Sequence, residues 1–388
     1  MPRTLIRATL SPWKHPVTAR AEGSVAAPTI RNTLVHGTLA VVGALALTIG
    51  AESHAQQNIK ISIISGNAPA NTPIGAAIDG FSPAVDRVLA KTGKFKVQWV
   101  HGFSGTVVKT RGELEGMEAG LGDMGIIPAV FYADKLPMYQ LTYATPFTSK
   151  DIDVMVEGFD RLLQKFPAFT KELEKYNQIP LKVGAAMENY ALWTKKEIKT
   201  LNELKGVKIG MGGPNIPWLR PTGVVGVLTA LDTMYNSLQS GVFDGIVMWQ
   251  QVAGTFKFCE LAPYHLDPSM GGVMMQIMTV NKDSWARYPA EVKSAITESM
   301  KAWSDENNRR ITEGTKAGAD LCVKQYKQKT TVMAPAEVKA WADELPSLGL
   351  DWARARDKAG QDGTRILQEW MGFMREKKQI VVRDWDKK

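Results

Sequence analysis

Cysteine and histidine are scarce in this 388-residue chain: Cys259 and Cys322 are its only thiols, and His101 and His265 are the only imidazoles after position 55. So few thiols exclude a disulfide-stapled scaffold, and no His, Cys or carboxylate cluster has the spacing of a metal centre. A basic stripe is also missing. The formal charge is +8, yet Lys and Arg are interleaved with acids, and a typical internal basic cluster is as short as Lys195-Lys196. A nucleic-acid interface needs its cations gathered on one face, so that class of partner is set aside. No apolar run reaches the about 20 residues that a bilayer span requires, and no internal repeat occurs. With 44% hydrophobic and 22% charged residues, the composition is that of an ordinary folded protein. At this length a single core tends to split, which favours two lobes.

The N-terminus carries an address. Arg3, Arg7, Lys14, Arg20 and Arg31 precede the apolar, small-residue-rich stretch from Leu34 to Ile49, and Ser53-His54-Ala55 follows. A positive segment, a short apolar segment and a small-x-small site are the marks of a secretory signal peptide, with cleavage expected after Ala55. Its loss would remove five basic and two acidic residues and leave a formal charge of +5. In the mature chain Cys259 lies in Phe256-Lys257-Phe258-Cys259, which reads as a small buried hydrophobe; a bridge to Cys322, 63 positions away, is possible but not indicated.

Periodicity then gives an alternating pattern. Strands are expected at Ile59–Ile64, Phe95–Val100, Met124–Ile127, Leu181–Ala186, Tyr190–Thr194, Val207–Met211 and Gly245–Met248. Helices are expected at Ile74–Leu89, Lys109–Ala119, Asp151–Tyr176, Pro217–Ala230 and Thr233–Ser240. Strand–helix–strand order implies parallel pairs, and hence open α/β lobes whose crevice lies at the carboxyl ends of the strands. From Pro289 to Lys327 runs one long helical pattern, interrupted only by Gly314 and Gly318 and roughly 55 Å long at 1.5 Å per residue. The expected organisation is a leader over 1–55, lobe I over 56–182 with part of 276–388 returning to it, lobe II over 183–275, and a bracing helix over 289–327.

Catalytic motifs are thin. Gly102-Phe103-Ser104-Gly105 looks like a nucleophile elbow, but its second Gly comes one place early, which leaves Ser104 as a loop hydrogen-bond donor. Gly210-Met211-Gly212-Gly213-Pro214 follows a strand as a dinucleotide loop would, yet Asn215 stands where the third Gly belongs. A loop that lets backbone approach a ligand fits better, with Gly210 and Met211 lining it. Aromatic residues carry more information. Phe131, Tyr132, Phe147, Tyr190, Trp193, Trp218 and Trp249 all fall near strand ends, with Trp218 and Trp249 the expected pocket walls and the rest split between core and crevice. Asn67 and Phe103 occupy corresponding loops after the first two strands.

Three ordered segments carry a resemblance: Leu201-Asn202-Glu203-Leu204-Lys205-Gly206-Val207-Lys208-Ile209, Ser237-Leu238-Gln239-Ser240-Gly241-Val242-Phe243-Asp244-Gly245, and Val280-Asn281-Lys282-Asp283-Ser284-Trp285. In these the chain resembles the TRAP-type (tripartite ATP-independent periplasmic) dicarboxylate-binding receptors, and more weakly over nearly the whole mature chain. The resemblance implies a two-lobed periplasmic binding protein fold with a long lobe-spanning helix, no cofactor and no catalysis. It also implies a small organic acid as ligand and membrane permease subunits as partners. Where the family has an Arg after the Lys-Ile pair, this chain has Gly210, and where the family commonly has Glu and Asn after Asp-Gly it has Ile246-Val247-Met248-Trp249. A bidentate carboxylate clamp is therefore missing and the pocket is less polar, which points to a monocarboxylate with an apolar or aromatic body. Arg220 is the candidate replacement cation, a surface position being its other reading, while Asn189, Tyr190, Asn215 and Gln250 offer neutral hydrogen bonds. A sensory receptor that presents ligand to a signalling partner and an exported enzyme remain the alternatives, and the oligomeric state is open.

Overall fold

Isoleucines drive the first strand: in β1 (Gln57–Ile64) Ile61, Ile63 and Ile64 are buried while Asn58 and Lys60 face solvent. The computed structural model describes residues 56–388 apart from Ala230, so the expected export leader, residues 1–55, lies outside the described residues. After β1 the chain is helical from Thr72 to Ala90, with one wider π turn at Ala77–Phe81, and returns as β2 (Phe95–Gly102). β2 pairs with β1 in parallel, Gln57 opposite Phe95, as the strand–helix–strand pattern requires.

The first sheet also contains β3 (Met124–Pro128) and β4 (Gln178–Met187). The second begins with β5 (Ala191–Thr194), β6 (Lys208–Met211), β7 (Val225–Leu228), β8 (Gly245–Met248) and β9 (Tyr264–Asp267). The chain then re-enters the first sheet with β10 (Val273–Asn281) and ends its strand content in the second with β11 (Lys329–Val332). Strand order is β2-β1-β3-β10-β4 in the five-stranded sheet and β11-β9-β5-β8-β6-β7 in the six-stranded one. Two α/β lobes result, with short crossings between the sheets at 188–190 and 268–272 and the long helix as a third connection.

Three expectations about elements are corrected. The helix expected at Pro217–Ala230 exists only as the turns Ile216–Leu219 and Arg220–Thr222; Gly223 then adopts φ 71° and the β-branched run that follows becomes β7 beside β6. The helix expected at Asp151–Tyr176 is two, Ile152–Lys165 and Ala168–Glu174, because Phe166 before Pro167 turns extended. Cys259, read as a small buried hydrophobe, is joined to Cys322 in a disulfide with their Cα atoms 5.7 Å apart. The bridge links the short helix Phe258–Leu261 to the long one.

The long helix runs as Ala290–Glu298 and Met300–Tyr326, separated only by Ser299, which itself keeps helical dihedrals. Gly314 and Gly318 do not break it. They admit a neighbour: a Cβ on Gly318 would lie 2.6 Å from the Gln250 carbonyl, and one on Gly314 would lie 2.8 Å from the Gln251 side chain. Near its other end Trp303 is fully buried against the first sheet and donates from Nε1 to the Pro73 carbonyl at 2.8 Å. One helix thus packs on both lobes.

Helices Pro335–Glu344, Leu348–Lys358 and Gly363–Glu376 close a large core that includes Phe147, Phe159, Trp218, Trp341 and Trp370. Within it Glu172 is 2% exposed, and its carboxylate accepts from the Met138 amide at 3.0 Å and from Gln361 Nε2 at 3.2 Å. Burial pushes its pKa up to about 7 from 4.5. Below pH 4.5 the group is neutral in both states. As pH rises towards 7 the unfolded chain ionises first, so the folded state loses about 3 kcal/mol of relative stability over that window. Chemical denaturation of the wild type and Glu172→Gln should therefore show a gap that favours the variant and widens by about that amount between pH 4.5 and 8. A gap that stays constant with pH would remove Glu172 from this role.

Candidate ligand-binding site

In both sheets the parallel strands end towards loops that carry the candidate residues. In the first lobe, Asn67 follows β1 and Ser104 follows β2, and the Ser104 amide donates to the Asn67 carbonyl at 2.9 Å. Ser104 is exposed with φ 58°, and Phe103 is buried and stacked on His101. Phe131, after β3, is 39% exposed and carries the Arg111 guanidinium over its ring at 4.9 Å.

A single buried carboxylate organises these loops. Glu113 accepts from the Gly66 amide at 3.2 Å, the Arg111 amide at 2.9 Å and the Tyr132 hydroxyl at 2.9 Å, so one side chain holds the loops that follow β1, β2 and β3. Burial raises its pKa while these donors oppose the rise. Tyr132 is accordingly core, not crevice. Glu113 carries no motif of its own in the sequence and was not among the expected residues.

The second group gathers around Tyr190. Its ring meets Trp218 edge-on at 5.5 Å and Trp249 edge-on at 5.8 Å, and its hydroxyl lies 3.2 Å from that of Tyr143. Trp218 Nε1 donates to the Tyr143 carbonyl at 2.8 Å, and Trp341 Nε1 donates to the Trp218 carbonyl at 2.7 Å. Trp218 is therefore a buried brace behind the cluster. Trp249, which caps the helix Gln250–Thr255, remains partly open. Burial pushes the Tyr190 phenol up to about 12, against the pull of Tyr143 and of the neighbouring Asn215.

Two N–H donors here have no partner. Trp249 Nε1 and Asn215 Nδ2 are both buried without a hydrogen bond, and Asn215 is 3% exposed. The Asn215 side chain lies close enough to the Tyr190 hydroxyl to oppose the rise of its pKa, although its Nδ2 makes no hydrogen bond of good geometry. Close by in sequence, Glu188 gives one carboxylate oxygen to the Thr315 hydroxyl of the long helix and keeps the other buried and unpaired. Burial raises its pKa. An orphaned buried donor or acceptor costs about 1–3 kcal/mol, which makes Trp249 and Asn215, both beside Tyr190, the candidate contacts for another molecule's polar atoms.

Other candidates have structural duties. Asn189 spends its amide on the crossings: Nδ2 donates to Asp267 at 2.8 Å and Oδ1 accepts from the Gly271 amide at 3.1 Å, while the Tyr190 amide donates to the Gly271 carbonyl at 3.1 Å. Gln250 pairs with Gln328, which also receives Trp193 Nε1 at 3.0 Å. Met211 and Met248 are buried on opposite faces of the second sheet. Trp193 is core, stacked on His265 at 4.4 Å, and Phe147 packs edge-on to Trp341. Of the two readings of Arg220, replacement cation and surface residue, the structure favours the second: its side chain is exposed. Trp218 and Leu219 point inward, which turns Arg220 to solvent, and among the described residues no acid pairs with it.

Gly210 has a clear physical reason. A Cβ placed there would lie 2.8 Å from the Phe243 ring, so the space in which a side chain would start is already filled. Tyr143, Glu188 and Thr315 were not expected at the site. Only the aromatic character of the first and the acid beside Asn189 could have pointed to them.

The profile of the bacterial extracellular solute-binding proteins, family 7, matches residues 64–353. A comparison with curated protein sequences finds no match. Among solved structures, a TRAP periplasmic solute-binding protein from Desulfovibrio salexigens superposes with a TM-score of 0.71 at 20% identity, over 82% of this chain and 96% of that one. A TRAP solute-binding protein from Rhodoferax ferrireducens in complex with copurified benzoate gives 0.67 at 18%, over 82% and 98%. The periplasmic ectoine-binding protein of the TeaABC TRAP transporter of Halomonas elongata gives 0.65 at 16%, over 82% and 100%. By its profile match, and with the two-lobed architecture of these TRAP proteins, the chain belongs to the bacterial extracellular solute-binding proteins of family 7.

Proposed function

We propose that the chain is the exported receptor of a TRAP transporter, which captures a monocarboxylate with an apolar or aromatic body and presents it to membrane permease subunits. The observation that carries the reading is the Tyr190 cluster, where aromatic rings adjoin two unpartnered neutral N–H donors, on Trp249 and Asn215, and among the described residues no arginine is fully buried. Neutral donors suit one carboxylate, whereas a second carboxylate left without a counter-charge would be costly to bury. The Rhodoferax protein, which has this fold, is in complex with copurified benzoate, an acid of this kind, and that supports the reading. Export and periplasmic residence accord with the leader and with the family.

A thermal-shift panel on residues 56–388 tests this. A ligand at about 100 times its dissociation constant should stabilise the native state by about 2.7 kcal/mol. Benzoate-like or branched monocarboxylates should raise the melting temperature and succinate-like diacids should not. Shifts with diacids alone would overturn the pocket reading. Turnover of a bound acid, seen by mass spectrometry, would overturn the receptor reading.

A further inference from the structure

The unpaired atoms near Tyr190 are not all donors, and their signs specify more than an acid. Trp249 Nε1 and Asn215 Nδ2 offer hydrogens, whereas Glu188 Oε2 offers a lone pair and a negative charge. A chain of contacts links these groups. Glu188 precedes Tyr190 by two residues on the same crossing, and Tyr190 touches Trp249 directly. Glu188 is also tied to Thr315. Thr315 lies on the helix turn whose Gly314 and Gly318 press on Gln251 and the Gln250 carbonyl, immediately after Trp249. The Lys150 ammonium, whose charge acts on Glu188, is half exposed and is engaged with Ser269 at 3.1 Å and Asp267 at 3.9 Å, and it makes no ion pair with Glu188.

We propose that the ligand is an amino or imino acid: its carboxylate accepts from Trp249 and Asn215, its charged N–H donates to Glu188, and its apolar body lies against the Tyr190 cluster. The inference rests on the receptor reading above and narrows it to ligands carrying both charges. A cationic N–H satisfies the buried Glu188 oxygen and neutralises it, which a simple monocarboxylate does not. Aromatic faces beside a carboxylate also favour a cation.

Calorimetric titration with matched pairs decides the point: phenylalanine against 3-phenylpropionate, leucine against 4-methylpentanoate, and proline against cyclopentanecarboxylate. In at least one pair the member bearing nitrogen should bind at least tenfold more tightly, and Glu188→Gln should collapse that ratio to about one. Because Gln keeps an acceptor for Thr315 and carries no buried charge, the variant's melting temperature should equal or exceed that of the wild type. Trp249→Phe, a second variant, should weaken the tighter member about tenfold. Equal or tighter binding of the nitrogen-free acids, or an unchanged ratio in Glu188→Gln, would overturn this proposal and leave the monocarboxylate receptor standing. Silence from every pair, with diacids binding in the panel, would overturn both.

Discussion

Cys259→Ala/Cys322→Ala is expected to lower the unfolding free energy by about 4 kcal/mol, the value that chain entropy assigns to a closed loop of 63 residues. Both sulfurs are fully buried, so the alanines add small voids and no orphaned polar atom. In a chain of this size the loss corresponds to roughly 5 °C in melting temperature. The bridge fixes the helix Phe258–Leu261 to the long helix at the end opposite Trp303. It therefore acts where the second lobe meets its brace and leaves the Tyr190 cluster untouched. Calorimetry of the oxidised protein, the reduced protein and the double variant is the measurement. Reduced wild type and variant should melt together, both well below the oxidised form. A difference under about 1 °C would mean that packing of the two helices, and not the bridge, limits unfolding.

Gly210→Arg should be the most damaging single change in the second lobe, although it restores the residue that the TRAP receptors it resembles carry at that place. The new Cβ would meet the Phe243 ring at 2.8 Å. Overpacking alone costs typically about 1–3 kcal/mol, and a guanidinium forced among Trp193, Ile246 and Phe243 adds the penalty of an unpaired buried charge. A loss of more than about 3 kcal/mol follows, read as a shift in denaturation midpoint. Adding Phe243→Ala should return part of that loss, with a coupling of about 1–3 kcal/mol between the two sites. An additive double variant would show that Phe243 is not what excludes the arginine. If the relieved variant gains affinity for succinate-like acids, Gly210 and Phe243 together set the preference for a single carboxylate.

Much of the architecture is legible from periodicity because it depends on local pattern. β1, β2, β3 and β8 alternate or run apolar between clear turn signals, and the long helix has no proline inside it. β10 escapes the sequence pattern because Val273–Asn281 is buried at every position, polar Gln276, Thr279 and Asn281 included, and three of its residues are methionine; a run buried on both faces has no period to read. At β7 the pattern alone predicts helix, because its strand character comes from pairing with β6 and not from local spacing. The disulfide is long-range for the same reason: nothing near Cys259 announces Cys322. At the site, aromatic positions such as Tyr190 and Trp249 stood out by residue type. Whether Asn189 holds a hinge or a ligand, and whether Arg220 faces in or out, depends on side-chain direction, which spacing does not encode. Glu188 and Glu113 were invisible for a plainer reason: acids are common, and only burial makes these two unusual.

Glu113 gives the first lobe a particular character. Because one carboxylate binds the loops after β1, β2 and β3 together, those loops behave as a fixed jaw: altering any one of them disturbs the other two through a shared buried anchor. The opposite jaw is built differently. Asn215, Trp249 and the pairing of Gly210 with Phe243 are held by separate local contacts, so each can change without dismantling its neighbours. Ligand preference in this chain should therefore be far easier to redirect from the second lobe than from the first.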